Sequence, residues 1–213
     1  MLATSPSHGG LHLQCVAPAE LDAIDRQECC QLWANCFPKS DRTWETVSVE
    51  RAAESAMLIE EKWHIIWKDK NRSGASASRQ AIAAARSFNR TITVAGAKMV
   101  VRGMAHVCSD PDRRGQGLGG MIVRAVFDSS NISEGRGGEN PLPILFQTDY
   151  ALFYEKFGAA TIPRSRNPIV NSTGEGSDSK RQGGFWDKFA MIYPASTAAS
   201  FPEGIIDLLG PGF

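Results

Sequence analysis

No stretch of this 213-residue chain approaches the ~18–20 apolar residues of a membrane span. Residues 1–10 are small and polar and lack the apolar run of a secretory signal. Neither sign of charge is in excess. With 23 Lys and Arg against 23 Asp and Glu, no global field draws nucleic acid or an anionic membrane, and a nucleic-acid binder of this size would carry a basic surplus. Cysteine is sparse: Cys15, Cys29, Cys30, Cys36 and Cys108 are odd in number and form no CxxC pair. That fits neither a disulfide framework nor a zinc site, so reduced thiols in a cytoplasm and no metal are expected. The sequons at Asn71, Asn89, Asn131 and Asn171 carry no weight without a signal peptide. No internal repeat is present.

What is there is a 42% hydrophobic chain, enough for one well-buried domain over residues 11–213 behind an N-terminal extension of residues 1–10. Leu11–Val16 reads as a first strand, Pro18–Phe37 as a helix closed by Pro38, and Trp44–Met57 as a second helix. In the first helix Leu21, Ile24, Leu32 and Trp33 are assigned to one apolar face. Trp63–Trp67 is aromatic and β-branched, hence a strand, and a polar loop follows to Ser78. Ala81–Val94 is ambiguous, since its alanines permit a helix while Thr91–Val94 favour a strand; Gly96 then turns into Lys98–Cys108 as the other arm of a hairpin. Leu118–Phe127 returns to helical period, Ser129–Pro143 is a loop, Ile144–Phe146 a strand, and Ala151–Phe157 a helix stopped by Gly158. Arg164–Gly184 reads as a long loop or irregular hairpin and Phe189–Tyr193 as a last strand, and the Ile205–Leu209 run is expected to pack back onto the body. Interleaved strands and helices with a central hairpin give an α/β class with a mixed sheet.

The most informative segment is Val107–Gly120, Val-Cys-Ser-Asp-Pro-Asp-Arg-Arg-Gly-Gln-Gly-Leu-Gly-Gly, between a strand and a helix. Gly115, Gly117 and Gly119 remove side chains where the helix begins, so the backbone can close around an anion. First-turn N–H groups point outward there, the helix dipole adds partial positive charge, and Arg113 and Arg114 add cationic donors. Gly115–Gly120 satisfies the dinucleotide pattern G-x-G-x-x-G, but Pro-Asp-Arg-Arg intervenes after the strand and Asp149 lies too far on for the ribose acid. A P-loop is excluded because no G-K-S/T follows. The bland alternative is that the glycines only let helix and strand pack closely.

Pro111-Asp-Arg-Arg114-Gly-Gln-Gly117-Leu-Gly119 resembles the signature of the GNAT superfamily of N-acetyltransferases, R/Q-x-x-G-x-G/A after a strand. The resemblance implies that Arg114, Gly115, Gln116, Gly117, Leu118, Gly119 and Gly120 hold the pyrophosphate of coenzyme A. It also implies that the strand through Val107, Cys108 and Ser109 pairs with its pantetheine arm. Thr148–Gly158, ending Phe-Tyr154-Glu-Lys-Phe-Gly, is similar to a later strand-to-helix segment of the same superfamily. The elements before the cradle also follow the family's order, so the resemblance covers roughly residues 11–193 and implies the GNAT acyltransferase fold, acetyl-CoA as co-substrate, and an amine of a small molecule or peptide as acceptor. A homodimer is common in the superfamily. The segments Phe189–Pro194 and Phe201–Leu208 are also similar to the ends of aminoglycoside 2′-N-acetyltransferases and nodulation-factor N-acyltransferases.

The chemistry implied is direct attack of an amine on a thioester. A base or an ordered water takes a proton from the amine, a backbone N–H near Val107 or Cys108 steadies the oxyanion, and a proton reaches the departing thiolate. Tyr154 matches the family's proton donor, and a phenol of pKa ~10 suits a thiolate of similar basicity; Tyr150 is the fallback. The family's usual strand glutamate falls on Ala105. That leaves His106, Asp149, the terminal carboxylate of Phe213, or water as the base. His64 is read as structural, and Cys108, with no partner base in sequence, as a small buried thiol rather than an acyl carrier. Competing readings are a non-catalytic module that binds coenzyme A and a dinucleotide-binding oxidoreductase.

Overall fold

The structure is a computed structural model that describes residues 10–37, 43–55, 58–70, 79–131, 141–172 and 187–209. Residues 1–9 of the extension, Pro38, Met57, Asn71 and the Phe213 carboxylate lie outside the described residues, as does most of the loop segments before Ser78, Pro143 and Gly184. The class is α/β with a mixed sheet, and the chain divides into two compact units. One holds the described residues up to Phe88 together with His106–Val126; the other holds Asn89–Ala105 and the described residues from Phe127 onward. Among the described residues no helix is long and apolar enough to cross a membrane.

The first unit opens with β1 (Leu11–Val16), α1 (Ala23–Cys36), α2 (Trp44–Ser55) and β2 (Ile59–Asp69). β1 runs antiparallel to β2, with Leu11 opposite Lys68 and Val16 opposite Trp63. The helix expected from Pro18 starts later. Pro18–Glu20 is a 3-10 turn, and the Asp22 carboxylate caps α1 by accepting from the Asp25 N–H at 2.8 Å. Asp25 in turn holds the Arg79 guanidinium, which stacks 4.1 Å from the Trp67 ring. The apolar face of α1 also differs from the expectation. Leu21, Leu32 and Trp33 are buried, but Ile24 is 69% exposed, and Cys29, Cys30 and Ala34 complete the packed face.

β3 (Arg79–Val94) and β4 (Ala97–Ser109) contribute to both units. β3 resolves the helix-or-strand ambiguity. Its alanines lie on a strand buried continuously from Ala81 to Asn89, where small side chains suit close packing on both faces. In the first unit the core gathers Trp33, Trp63, Trp67, Val47, Ile65, Ala84 and Cys108. His64 is fully buried with its Nε2 2.9 Å from the Ser87 hydroxyl, a structural position. Arg86 and Glu61 form an ion pair at 2.5 Å with side chains 1% and 4% exposed, and the Trp63 indole N–H donates to the same Glu61 oxygen at 2.9 Å.

In the second unit Ala95 and Gly96, both at positive φ, make the two-residue turn between β3 and β4. β5 (Ile144–Thr148) runs parallel to β4, with Arg102 opposite Ile144. α4 (Ala151–Glu155), β6 (Ala160–Ile162), β7 (Ile169–Val170), β8 (Phe189–Tyr193), α5 (Ala195–Ser200) and β9 (Ile206–Asp207) follow. β8 pairs antiparallel with β5 and with β6. β9 pairs parallel with β7 and antiparallel with the end of β3. The tail packs back as Ile206 and Leu208, both fully buried, while Ile205 and Leu209 alternate outward. α5 and the short strands β6 and β7 were not anticipated, since segments of two to six residues carry too little periodicity.

Candidate active site

The glycine-rich turn is built in the first unit. At the end of β4 the Asp110 N–H donates to the Ile82 carbonyl at 2.8 Å, which ties the exit of one strand to its neighbour. The Asp110 carboxylate accepts from the Asp112 N–H at 3.0 Å and lies 3.6 Å from the Arg113 guanidinium. Pro111–Arg113 therefore forms one 3-10 turn, and of the two arginines Arg113 is engaged by the turn while Arg114 is exposed. Gly115 and Gly117 then adopt φ of +81° and +78°, a region that costs an L-residue ~1–2 kcal/mol. A Cβ built on either would meet no atom within 4 Å. The space beside both glycines is open.

α3 (Leu118–Asn131) starts directly after them. The Gly117 carbonyl accepts from the Met121 N–H at 3.1 Å, so the N–H groups of Leu118, Gly119 and Gly120 fall in the first turn without an i−4 partner. The Leu118 side chain is buried and anchors the helix start. Exposed glycines at left-handed φ, first-turn N–H groups and the positive end of a helix dipole are the elements from which anion sites are built. These residues fit a pyrophosphate.

Just upstream, His106 sits in mid-strand at φ +55°. Such a residue interrupts the pleat as a β-bulge does, and the inside–outside alternation fails there: Met104 and Ala105 are both buried, His106 and Val107 both half-buried. The Trp33 indole N–H donates to the His106 carbonyl at 3.1 Å. The imidazole lies edge-on to the rings of Trp33 and Phe37, with centroids 6.4 and 6.0 Å away. α1 thus braces the strand at its positive-φ residue. Three residues on, the Cys36 thiol at the end of α1 donates to the Ser109 carbonyl at 3.2 Å, and Cys108 is buried, as expected for a packed thiol.

The remaining candidates belong to the second unit. Tyr154 is 8% exposed, and its ring packs 4.8 Å from Phe146 and 5.0 Å from Phe153. Asp149 is exposed and accepts from the Lys188 N–H at 3.1 Å, a local role that joins the end of β5 to the start of β8. Its charge, after burial, helps push the Asp187 carboxyl above its usual range, against the pull of Arg164. Tyr150 is 76% exposed. Among the described residues no group of three His, Cys, Asp or Glu side chains could hold a metal.

The family model for the acetyltransferase (GNAT) domain matches residues 18–162. The chain belongs to the GNAT acetyltransferase family. The fold agrees: a GNAT family N-acetyltransferase (YhbS) from Escherichia coli, solved in complex with CoA, is 18% identical with a TM-score of 0.61, covering 96% of this chain and 92% of its own. A GNAT family acetyltransferase from Brucella melitensis, solved with acetyl-CoA, is 19% identical with a TM-score of 0.47 over 72% and 84% of the two chains. No curated protein matches the chain.

Sequence reading missed several residues around this glycine-rich turn. Asp110 was legible, since Asp-Pro after a strand marks a turn start. Trp33 and Cys36 were not, because they reach β4 across more than 70 positions and nothing local marks the contact.

Proposed function

We propose that the chain is an acyl-CoA-dependent N-acyltransferase that moves an acetyl group from acetyl-CoA to a primary amine of a small molecule or peptide, by direct attack in a ternary complex. The observation that carries this is the open pair of left-handed glycines at the start of α3, directly behind strand β4, in a chain of the GNAT family. Acetyl-CoA supplies the thioester and takes away the thiol.

The chain's own residues do the rest. Backbone N–H groups of Gly115–Gly120 and the Arg114 guanidinium bind the pyrophosphate, while Gln116 offers a further side-chain donor. Val107, Cys108 and Ser109 present backbone to the pantetheine arm, and an N–H at Val107 or Cys108 steadies the oxyanion. His106 takes the proton from the acceptor, directly or through a water, because it is the titratable group at the positive-φ position of β4. Tyr154 donates a proton to the departing sulfur; this assignment rests on its place in the Phe-Tyr-Glu-Lys-Phe-Gly motif. Asp149 is a weaker candidate base, since it is engaged with Lys188. One observation favours a second reading, a non-catalytic module that binds coenzyme A: the usual glutamate position is a buried alanine, Ala105.

Calorimetric titration with acetyl-CoA, CoA, NAD and NADP, followed by a thiol-release screen over amines, separates the readings. A CoA-selective response with amine-dependent thiol release is expected. Binding without release for any amine favours the non-catalytic module, and a preference for NAD or NADP overturns the assignment.

A further inference from the structure

Cys36 and Cys108 lie at one point of the first unit. Cys36 packs against the core cluster that contains Cys108, its thiol 3.2 Å from the carbonyl of the adjoining Ser109, and each thiol shifts the titration of the other. Cys36 ends α1 and is half-buried, whereas Cys108 is on β4 and 8% exposed. One thiol can therefore meet a small solute while its neighbour waits behind it. We propose that Cys36 and Cys108 are a redox pair, which hydroperoxides convert to a disulfide that ties α1 to β4 and shuts the coenzyme site. The second half of that statement rests on the proposed role of β4 in holding pantetheine.

The surroundings favour this order of events. The neighbouring Cys108 thiol is the strongest influence holding the Cys36 thiol below its usual range; burial opposes it, the charge of Arg114 assists, and Asp110 opposes. Burial pushes Cys108 well above the usual range, and Cys36 adds to that, although a backbone contact from Ala84 favours its thiolate. Cys36, the half-buried thiol that a solute can reach, is thus the attacking sulfur, and the buried Cys108 is the resolving one. Cys29 is fully buried and likewise pushed up by burial, so it is a poor competitor.

The step balances. The Cys36 thiolate attacks the terminal oxygen of a hydroperoxide, the O–O bond breaks, and the alcohol or water leaves with Cys36 as the sulfenic acid. The Cys108 sulfur then attacks the Cys36 sulfur, forming the S–S bond and expelling hydroxide, which takes up the Cys108 proton as water. Two thiols and one hydroperoxide give a disulfide, an alcohol or water, and one water. The bond replaces a thiol contact at Cys108 and removes the Cys36 hydrogen bond to the Ser109 carbonyl, on the stretch of β4 assigned to pantetheine.

The test treats the full chain with hydrogen peroxide and maps disulfides by peptide mass under non-reducing conditions, with CoA affinity measured before, after, and on re-reduction with dithiothreitol. The expected result is a Cys36–Cys108 peptide pair and a rise of about tenfold or more in the Kd for CoA, reversed by dithiothreitol. Cys36→Ser should keep its CoA affinity through peroxide. In Cys108→Ser, dimedone should trap a sulfenic acid at Cys36. The absence of the Cys36–Cys108 peptide, or Cys15 oxidising before Cys36, overturns the pair. A disulfide that leaves CoA affinity unchanged overturns its control of the site. If the reduced protein binds no CoA at all, the functional reading fails while the peptide map still decides the pair.

Discussion

Two glycines, both at positive φ, should rank in opposite order for stability and for CoA affinity when replaced by alanine. Gly117 stands at φ +78° with nothing within 4 Å of an added Cβ, whereas Gly204 stands at φ +135° with the new Cβ 2.8 Å from the Ala95 Cβ and 3.2 Å from its Cα. Ala95 cannot easily retreat, since it occupies the β3–β4 turn and its N–H is bonded to the Ile205 carbonyl at 3.0 Å. For Gly117→Ala only the left-handed conformation is strained, about 1–2 kcal/mol, which lowers Tm by a few degrees in a chain of this size, at roughly 2–4 °C per kcal/mol. For Gly204→Ala, overpacking of ~1–3 kcal/mol adds to comparable backbone strain, so the total is about 3 kcal/mol. CoA affinity reverses the ranking. The Gly117 methyl fills the open space of the cradle and should weaken CoA at least about tenfold, or ~1.4 kcal/mol, while Gly204→Ala leaves it unchanged in the folded fraction. Urea unfolding and calorimetric CoA titration measure both quantities. A Gly117→Ala protein that binds CoA within twofold of the parent would refute the cradle, whatever its stability.

Arg86→Met strands the Glu61 carboxylate in the core and should cost about 3–5 kcal/mol in urea unfolding. Adding Glu61→Leu should recover most of that, short of the hydrogen bond lost by the Trp63 indole; a double variant no more stable than the single would refute the ion-pair account. Arg114→Gln should weaken CoA and flatten its salt dependence, whereas Arg113→Gln, which loses the Asp110 contact, should chiefly lower Tm; equal effects on CoA would show that the turn does not distinguish them. Tyr154→Phe keeps the ring against Phe146, so stability and CoA affinity should hold while turnover falls about 10²-fold or more, and full activity would remove Tyr154 from the proton path.

The geometry of the glycine-rich turn was legible because it is local. Left-handed glycines, a strand exit at Asp-Pro and a helix start occupy about a dozen consecutive residues, and each has its own residue signature. The central hairpin was legible from Gly96, but β3 was ambiguous, because alanine's helical propensity is overridden when both faces of a strand are buried. The bracing of β4 by Trp33 and the meeting of Cys36 with Cys108 were invisible, since they depend on where the end of α1 lands. Ile24 shows the same limit in reverse. Its apolar side chain fitted the sequence pattern of the buried face, yet packing left it in solvent.

Ala105, which the GNAT resemblance puts at the usual glutamate position, suits its surroundings. Position 105 is only 7% exposed, and an ionised carboxylate there would lose its hydration without a partner supplied nearby in sequence, a cost of several kcal/mol. Alanine removes that cost. The next residue takes a positive φ within the continuous strand β4, and the left-handed conformation at position 106 is one that histidine adopts more readily than most side chains. It leaves the imidazole half-buried against Trp33 and Phe37, where a titratable group can still exchange protons with water. Asparagine tolerates the same conformation without titrating, so His106→Asn tests the proton and not the backbone. If His106 is the base, the variant keeps its fold and CoA affinity, and the acidic limb of the kcat/KM profile disappears. If the limb survives unchanged, the proton goes to water and His106 serves only to shape β4.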